Sequence, residues 1–431
     1  MRAKRESMTT FTQSANAYTV VQTLRNGVTV ALERLPYLRS IAAGVWINAG
    51  SACETPAQTG VSHFLEHLFF KGTKARTARQ LMEAVESRGG HLNAFTSRDH
   101  TCVYIKTLDA HTLDAIEILG DIIKNSQFFD FEKERGIILE EIASAEDVPE
   151  DYVHDVFCER LWPDHALGRP ITGTEESVSG LSIEDVRAYF QSWYVPENII
   201  VSIAGNFEIE PALDAIAREF EGIAARPSPP APGRPVFGAC LDRVIRPIGQ
   251  HHVCFGFPGP DSRDPRRFAY DVLSNVVGGG STSRLFEEIR EQAGLAYSIY
   301  SFHYCYRPAG TLGVYAAVAP ENLTQTIDLA CRELRKMREE PVPESELAMN
   351  REMLKANLLM GLESTFNRMA RQAKSLMIHG RIVPQDEVVE KIEAVSVEDV
   401  QRLAHEIFVS EQCAAVILGP EDAERMKAFP L

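Results

Sequence analysis

The stretch from Gly60 to Thr73 reads GVSHFLEHLFFKGT and holds His63, Glu66 and His67. On a helix, positions i, i+3 and i+4 share one face, so two imidazoles and one carboxylate point into the same volume. Two neutral imidazole nitrogens suit Zn²⁺, and the carboxylate beside the second histidine is free to take a proton from water activated by that metal. Catalytic zinc keeps three protein ligands and an open position, so the spacing predicts one further His, Asp or Glu on another rigid element.

The segment that begins at Phe131, FEKERGIILEEIASAED, is the candidate for that element. Its pattern is helical, Glu134 and Glu141 lie two turns apart on one face, and Ile137, Ile138 and Ile142 supply apolar packing beside them. One of its carboxylates is expected to reach the metal, with Glu141 the foremost candidate. Glu140 is adjacent, and an assignment shifted by one position stays open at this point.

Other elements must hold these two helices. Residues 19–34, TVVQTLRNGVTVALER, alternate about Asn26-Gly27 as a hairpin does, and 41–50, IAAGVWINAG, read as a buried strand ending in a glycine turn. After the histidine helix, the pattern predicts a second helix over 77–88 and a break at Gly89-Gly90. Two strands within HLNAFTSRDHTCVYIKTL, joined at Ser97-Arg98-Asp99, and an amphipathic helix near 109–125 follow.

A chain of 431 residues is long for one core and predicts two domains or more. Its net charge of -16 disfavours nucleic acid as a partner, since a phosphate backbone needs a basic surface. No apolar run is long enough to span a bilayer, so no membrane partner is expected. The eight cysteines are scattered without a C-x-x-C and read as reduced, mostly buried thiols. No apolar stretch follows the basic N-terminus, so a secretory signal is not expected and the cytoplasm is the default. Arg2, Lys4, Arg5 and the Ser/Thr content leave a short organellar transit peptide open.

The Pro-rich stretch 226–236, RPSPPAPGRPV, reads as a linker, and the two sides of it resemble each other. Ser182, Glu184, Asp185, Val186 and Gly205 recur at one constant offset as Ser396, Glu398, Asp399, Val400 and Gly419. An internal duplication follows, with a metal-binding domain over 1–225 and a homologous domain over 237–431. Each half is expected to be α+β, a mostly antiparallel sheet packed with helices. The second half has no metal-binding pair in PRRFAYDVLSNVVGGGSTSRLF, so it is expected to hold substrate rather than hydrolyse it. Gly278-Gly279-Gly280 is not read as a phosphate loop, because no Lys-Ser/Thr follows. Arg290 and Tyr297, across the Gly294 break, could grip a carbonyl and donate a hydrogen bond.

These motifs together resemble the pitrilysin-like zinc peptidases, the H-x-x-E-H or inverzincin group, in the short form similar to the β-subunit of mitochondrial processing peptidase and its bacterial relatives. The resemblance runs from the NGV hairpin through HFLEH and ERGIILEEI to GGGSTSRLFEEIREQAGLAYSIYS. It implies one zinc per chain held by His63, His67 and Glu141, with Glu66 as general base and Glu134 behind the ligands. It implies that Arg290 and Tyr297 complete the site and bind substrate, and that Asn93, Ala94 and Phe95 form an edge strand pairing with extended peptide. The implied activity is a zinc metalloendopeptidase for short or unfolded peptides. The implied assembly is a dimer enclosing a chamber, a homodimer or a heterodimer with an inactive paralogue. The resemblance also admits a non-catalytic structural subunit, or the catalytic half of an obligate heterodimer.

Overall fold

The computed structural model describes residues 9–14 and 17–421. The strands are β1 (Thr9–Ser14), β2 (Ala17–Thr23), β3 (Thr29–Arg34), β4 (Ser40–Ile47), β5 (His91–Thr96), β6 (Thr101–Leu108), β7 (Ile199–Gly205), β8 (Cys240–Ile245), β9 (His251–Gly259), β10 (Ala296–Cys305), β11 (Gly310–Val318) and β12 (Ala414–Gly419). The helices are α1 (Val61–Leu68), α2 (Ala78–Glu86), α3 (Thr112–Asn125), α4 (Phe131–Glu146), α5 (Pro149–Leu161), α6 (Glu175–Gly180), α7 (Ile183–Trp193), α8 (Ile209–Phe220), α9 (Arg267–Gly278), α10 (Leu323–Glu339), α11 (Glu344–Gly361), α12 (Thr365–His379), α13 (Gln385–Glu393) and α14 (Val397–Ile407).

The strands form two sheets, in the orders β1-β2-β3-β7-β4-β6-β5 and β10-β11-β9-β12-β8. In the first, β7 lies parallel to β3 and antiparallel to β4; in the second, β12 lies parallel to β8 and antiparallel to β9. The duplication is thus written in the topology as well as in the repeated residues. Ser182 and Ser396 each cap a helix in the same way, the hydroxyl accepting from the N–H of Asp185 or Asp399 and the carboxylate returning the bond. Gly205 and Gly419 each close a central strand where a Cβ would strike a neighbour, the Ser40 carbonyl oxygen at 2.2 Å and the His251 ring at 1.9 Å. The fold is α+β, with both sheets mostly antiparallel.

Two compact units divide the chain. One comprises 1–142, 170–232 and 361–382; the other comprises 143–169, 233–360 and 383–431. Their boundary between Pro232 and Gly233 falls within the Pro-rich stretch, but each unit also recruits a segment from the other side of it. The reason is burial. β4 and β7 are buried along both faces, as apolar runs such as IAAGVWI require. One face packs with Phe64, Leu65 and Leu68 of α1 and Ile116, Leu119 and Ile123 of α3. The other face, carrying Ala42, Trp46, Cys102, Ile200 and Ala204, is covered by Met369, Ala370 and Ala373 of α12. Gly44 admits the Met369 sulfur, which would lie 2.7 Å from a Cβ there. In the second unit α5 does the same for the other sheet, with Phe157 packed edge-on against Phe302 of β10.

Candidate metal centre

α1 begins without a side-chain cap of its own. Gly60 precedes it at φ +91°, where the Thr172 carbonyl would meet a Cβ at 2.8 Å, so neither Ser nor Thr fits at this position. The buried carboxylate of Glu54 serves instead, accepting from the N–H of Gly60 at 2.9 Å and from the N–H of Ser62 at 2.8 Å. The Ser62 hydroxyl donates to Tyr189 Oη at 2.8 Å, which donates in turn to the Gly50 carbonyl at 3.1 Å. The first turn of α1, immediately before His63, is therefore held by charge and hydroxyls that water does not reach.

α4 enters from a turn in which Phe128 and Asp130 both have positive φ, 55° and 59°. Phe128 is held there by packing against Phe69 and Phe190. This aims the Glu134–Glu141 face of α4 at α1. Glu141 Oε2 lies 3.4 Å from His67 Nε2 and 3.7 Å from His63 Nε2. The three ligand atoms of His63, His67 and Glu141 all lie within 4.8 Å of one another, and Glu140 is not part of that group. Two imidazole nitrogens and one carboxylate oxygen converging this closely, with Glu141 half exposed, fit a zinc ion with an open side. Burial, and then the neighbouring His67, pushes the His63 imidazole down to about 4, which keeps it in the neutral form a metal requires.

Behind His67 stands Glu134, whose Oε2 is 3.3 Å from His67 Nδ1 and whose Oε1 pairs with Lys71 Nζ at 2.8 Å. Glu66 projects from α1 beside the ligands. Burial raises its carboxyl above the usual range, opposed by the nearby polar groups of Thr96 and by the charge of His67. Its Oε2 is buried with no hydrogen-bond partner among the described residues, an acceptor ready for a proton.

Thr96 ends β5, the outermost strand of its sheet, so the strand that carries Asn93, Ala94 and Phe95 leads directly to the carboxylate of Glu66. Ala94 is buried, Asn93 is exposed with its Oδ1 accepting from the Ala94 N–H, and the Phe95 ring lies among Trp46, His100, Tyr104 and Phe366. Arg290 and Tyr297 belong to the second unit. There a π-helical turn, Phe286–Gln292, places the Arg290 guanidinium 4.6 Å from the Phe286 ring centroid and 4.9 Å from that of Tyr297. Tyr297 is 81% exposed. The Gly278–Gly280 run serves close packing, since a Cβ on Gly278 would lie 2.3 Å from the Ser301 nitrogen.

Sequence reasoning missed Glu54, Lys71 and Thr96. A signal for Lys71 lies in the chemistry, since a glutamate buried behind a histidine needs a cation near it. Glu54 could have been sought because Gly60 leaves α1 without a cap. Nothing in the local sequence announces Thr96.

The fold and this site are those of an inverted-motif metallopeptidase. The model for "Insulinase (Peptidase family M16)" matches residues 29–175, and that for "Peptidase M16 inactive domain" matches 180–354. The chain belongs to peptidase family M16. It is 36% identical to YmxG of Bacillus subtilis, described as an uncharacterized zinc protease, over 92% of this chain and 97% of that one. It is 37% identical to an uncharacterized zinc protease of Mycobacterium leprae, over 92% and 91% respectively. Among solved structures, a protease from Helicobacter pylori superposes with a TM-score of 0.86 at 24% identity, covering 94% of this chain and all of the other. A chain of complex III2 from Candida albicans, with Inz-5 bound, has a TM-score of 0.83 at 20% identity, covering 93% and 95%. Among the described residues no helix is long and apolar enough to cross a membrane.

Proposed function

We propose that this protein is a zinc metalloendopeptidase that hydrolyses short or unfolded peptides. The observation that carries the reading is the convergence of His63 Nε2, His67 Nε2 and Glu141 Oε2 beside Glu66, whose Oε2 has no hydrogen-bond partner among the described residues. His63, His67 and Glu141 would hold the zinc, which when bound would supply Lewis acidity toward a carbonyl and toward water. Glu66 receives the proton of the attacking water and returns it to the leaving amine, and its buried, upward-shifted carboxyl suits both transfers. The free edge of β5 offers main-chain pairing to an extended substrate at Asn93, Ala94 and Phe95, next to that carboxylate.

By the same family likeness, Tyr297 and Arg290 act on substrate as hydrogen-bond donor and backbone grip. One zinc per chain and a homodimer enclosing a chamber complete the proposal, with a cytoplasmic location.

The test is cleavage of a mixed peptide pool by zinc-loaded wild type beside Glu66→Gln, read by mass spectrometry, with native mass measured on the same sample. Cuts made by the wild type alone support the reading, and a dimeric mass supports the assembly. A metal-replete wild type that makes no cuts overturns it as an autonomous peptidase. The remaining reading is then a structural subunit or the catalytic half of a heterodimer, and likeness in fold to a complex III2 chain keeps the structural role in view.

A further inference from the structure

The ion pair between Lys71 and Glu134 is unlike the surface pairs of the chain. The Glu134 side chain is 2% exposed and that of Lys71 24%, and the carboxylate divides its oxygens, Oε1 to Lys71 Nζ at 2.8 Å and Oε2 to His67 Nδ1 at 3.3 Å. With one oxygen turned to an ammonium group and the other to the imidazole, Glu134 presents an acceptor to His67, and this geometry pairs with the tautomer in which Nδ1 carries the hydrogen and donates it. The lone pair then lies on Nε2, the nitrogen 3.4 Å from Glu141 Oε2. The opposite tautomer would place a hydrogen on the atom that must bind metal.

The position of Lys71 is itself built rather than incidental. It follows α1 in a turn whose N–H donates to the Leu68 carbonyl at 3.2 Å. Gly72 comes next at φ +111°, where a Cβ would lie 2.9 Å from the Arg76 carbonyl oxygen. Thr73 accepts from the N–H groups of Ala75 and Arg76 and donates at 2.7 Å to Asp121, which also pairs with Arg76. This network fixes the backbone from which Lys71 reaches back to Glu134.

We propose that Lys71 is a positioning residue for the metal centre: through Glu134 it sets the tautomer and orientation of the His67 imidazole, so that Nε2 faces the ligand group. The inference rests on the zinc-site reading above but concerns a residue outside the ligand set. Removing the ammonium frees Glu134 from its fixed geometry, and an amide at 134 can present an N–H to Nδ1 and favour the wrong tautomer. Arg at 71 keeps the charge and is expected to preserve most of the effect.

The experiment measures zinc dissociation by chelator competition, and the His67 tautomer by ¹⁵N shifts of the metal-free protein, in wild type, Lys71→Met, Lys71→Arg and Lys71→Met/Glu134→Gln. The expected result for Lys71→Met is zinc affinity lower by about 10- to 100-fold, with His67 shifted toward the Nε2–H form. Lys71→Arg should recover most of the affinity. The double variant removes both buried charges and controls for folding: its melting temperature should return toward wild type while its zinc affinity stays low. Wild-type affinity in a folded Lys71→Met, or in the double variant, overturns the proposal, as does an unchanged tautomer. Wild type that binds zinc tightly but cleaves nothing defeats the peptidase reading and leaves these two readouts intact.

Discussion

Glu54 and Ser62 are joined by a 2.8 Å hydrogen bond in which the Ser62 backbone N–H donates to Glu54 Oε1, and this buried contact ends one residue before His63. It ties the stability of the α1 helix to the placement of the first histidine. Charged hydrogen bonds of this kind contribute about 1.5–3 kcal/mol each, and Glu54 accepts from both Gly60 and Ser62. Glu54→Ala is therefore expected to destabilise the first unit by roughly 3–6 kcal/mol, seen as a lower thermal midpoint, and to weaken zinc retention with it. A variant as stable as wild type would show that α1 has another anchor.

Glu66→Gln keeps the shape of the side chain and removes its ability to take a proton. Zinc content measured by elemental analysis should stay at the wild-type level, while turnover falls by about 10²- to 10⁴-fold. A variant with undiminished turnover would falsify the assignment of Glu66 as base.

The depressed imidazole of His63 gives the metal-free protein a definite acid response. Its pKa is near 6.5 when unfolded and about 4 when folded, so between those values the unfolded chain binds the extra proton. The stability contributed by neutral His63 is fully present above about pH 6.5 and is lost as pH falls toward 4, a total of roughly 3 kcal/mol. Denaturant midpoints of metal-free wild type across this window should fall more steeply than those of His63→Gln. Parallel slopes for the two would remove His63 as the cause.

Tyr297 stands 81% exposed, with its ring against the Arg290 guanidinium. Tyr297→Phe should leave stability within about 0.5 kcal/mol of wild type, as exposed substitutions do. If the hydroxyl stabilises developing charge on substrate, kcat drops by about 10²- to 10³-fold with little change in folding. A loss confined to KM would assign the residue to substrate binding alone.

The units are interleaved in sequence, and a protease can test that. A single cut between residues 226 and 232 leaves segment 143–169 on the first fragment and segment 361–382 on the second, although each segment packs in the other fragment's unit. The nicked fragments should therefore co-elute under native conditions and part only in denaturant. Met369→Ala empties a fully buried site against Gly44 and is expected to cost about 2–5 kcal/mol.

What the sequence by itself determined is whatever depends on short spacing. The turn of a helix puts His63, Glu66 and His67 on one face whatever surrounds them, Asn26-Gly27 closes the β2–β3 hairpin, and repeated Ser-x-x-Asp caps and closing glycines mark the duplicated sheets. Tertiary structure decided what depends on contact across distance. Which of Glu140 and Glu141 lies beside the two histidines is a matter of a rotation of about 100° on α4, which the string EE does not fix and the packing of the helix does. The ties of Lys71 and His67 to Glu134, the approach of Thr96 to Glu66 and the α12 cover over Trp46 join residues far apart in sequence. Such groups find each other because a buried charge or an uncovered apolar face must have a partner, and only the folded chain determines which one arrives.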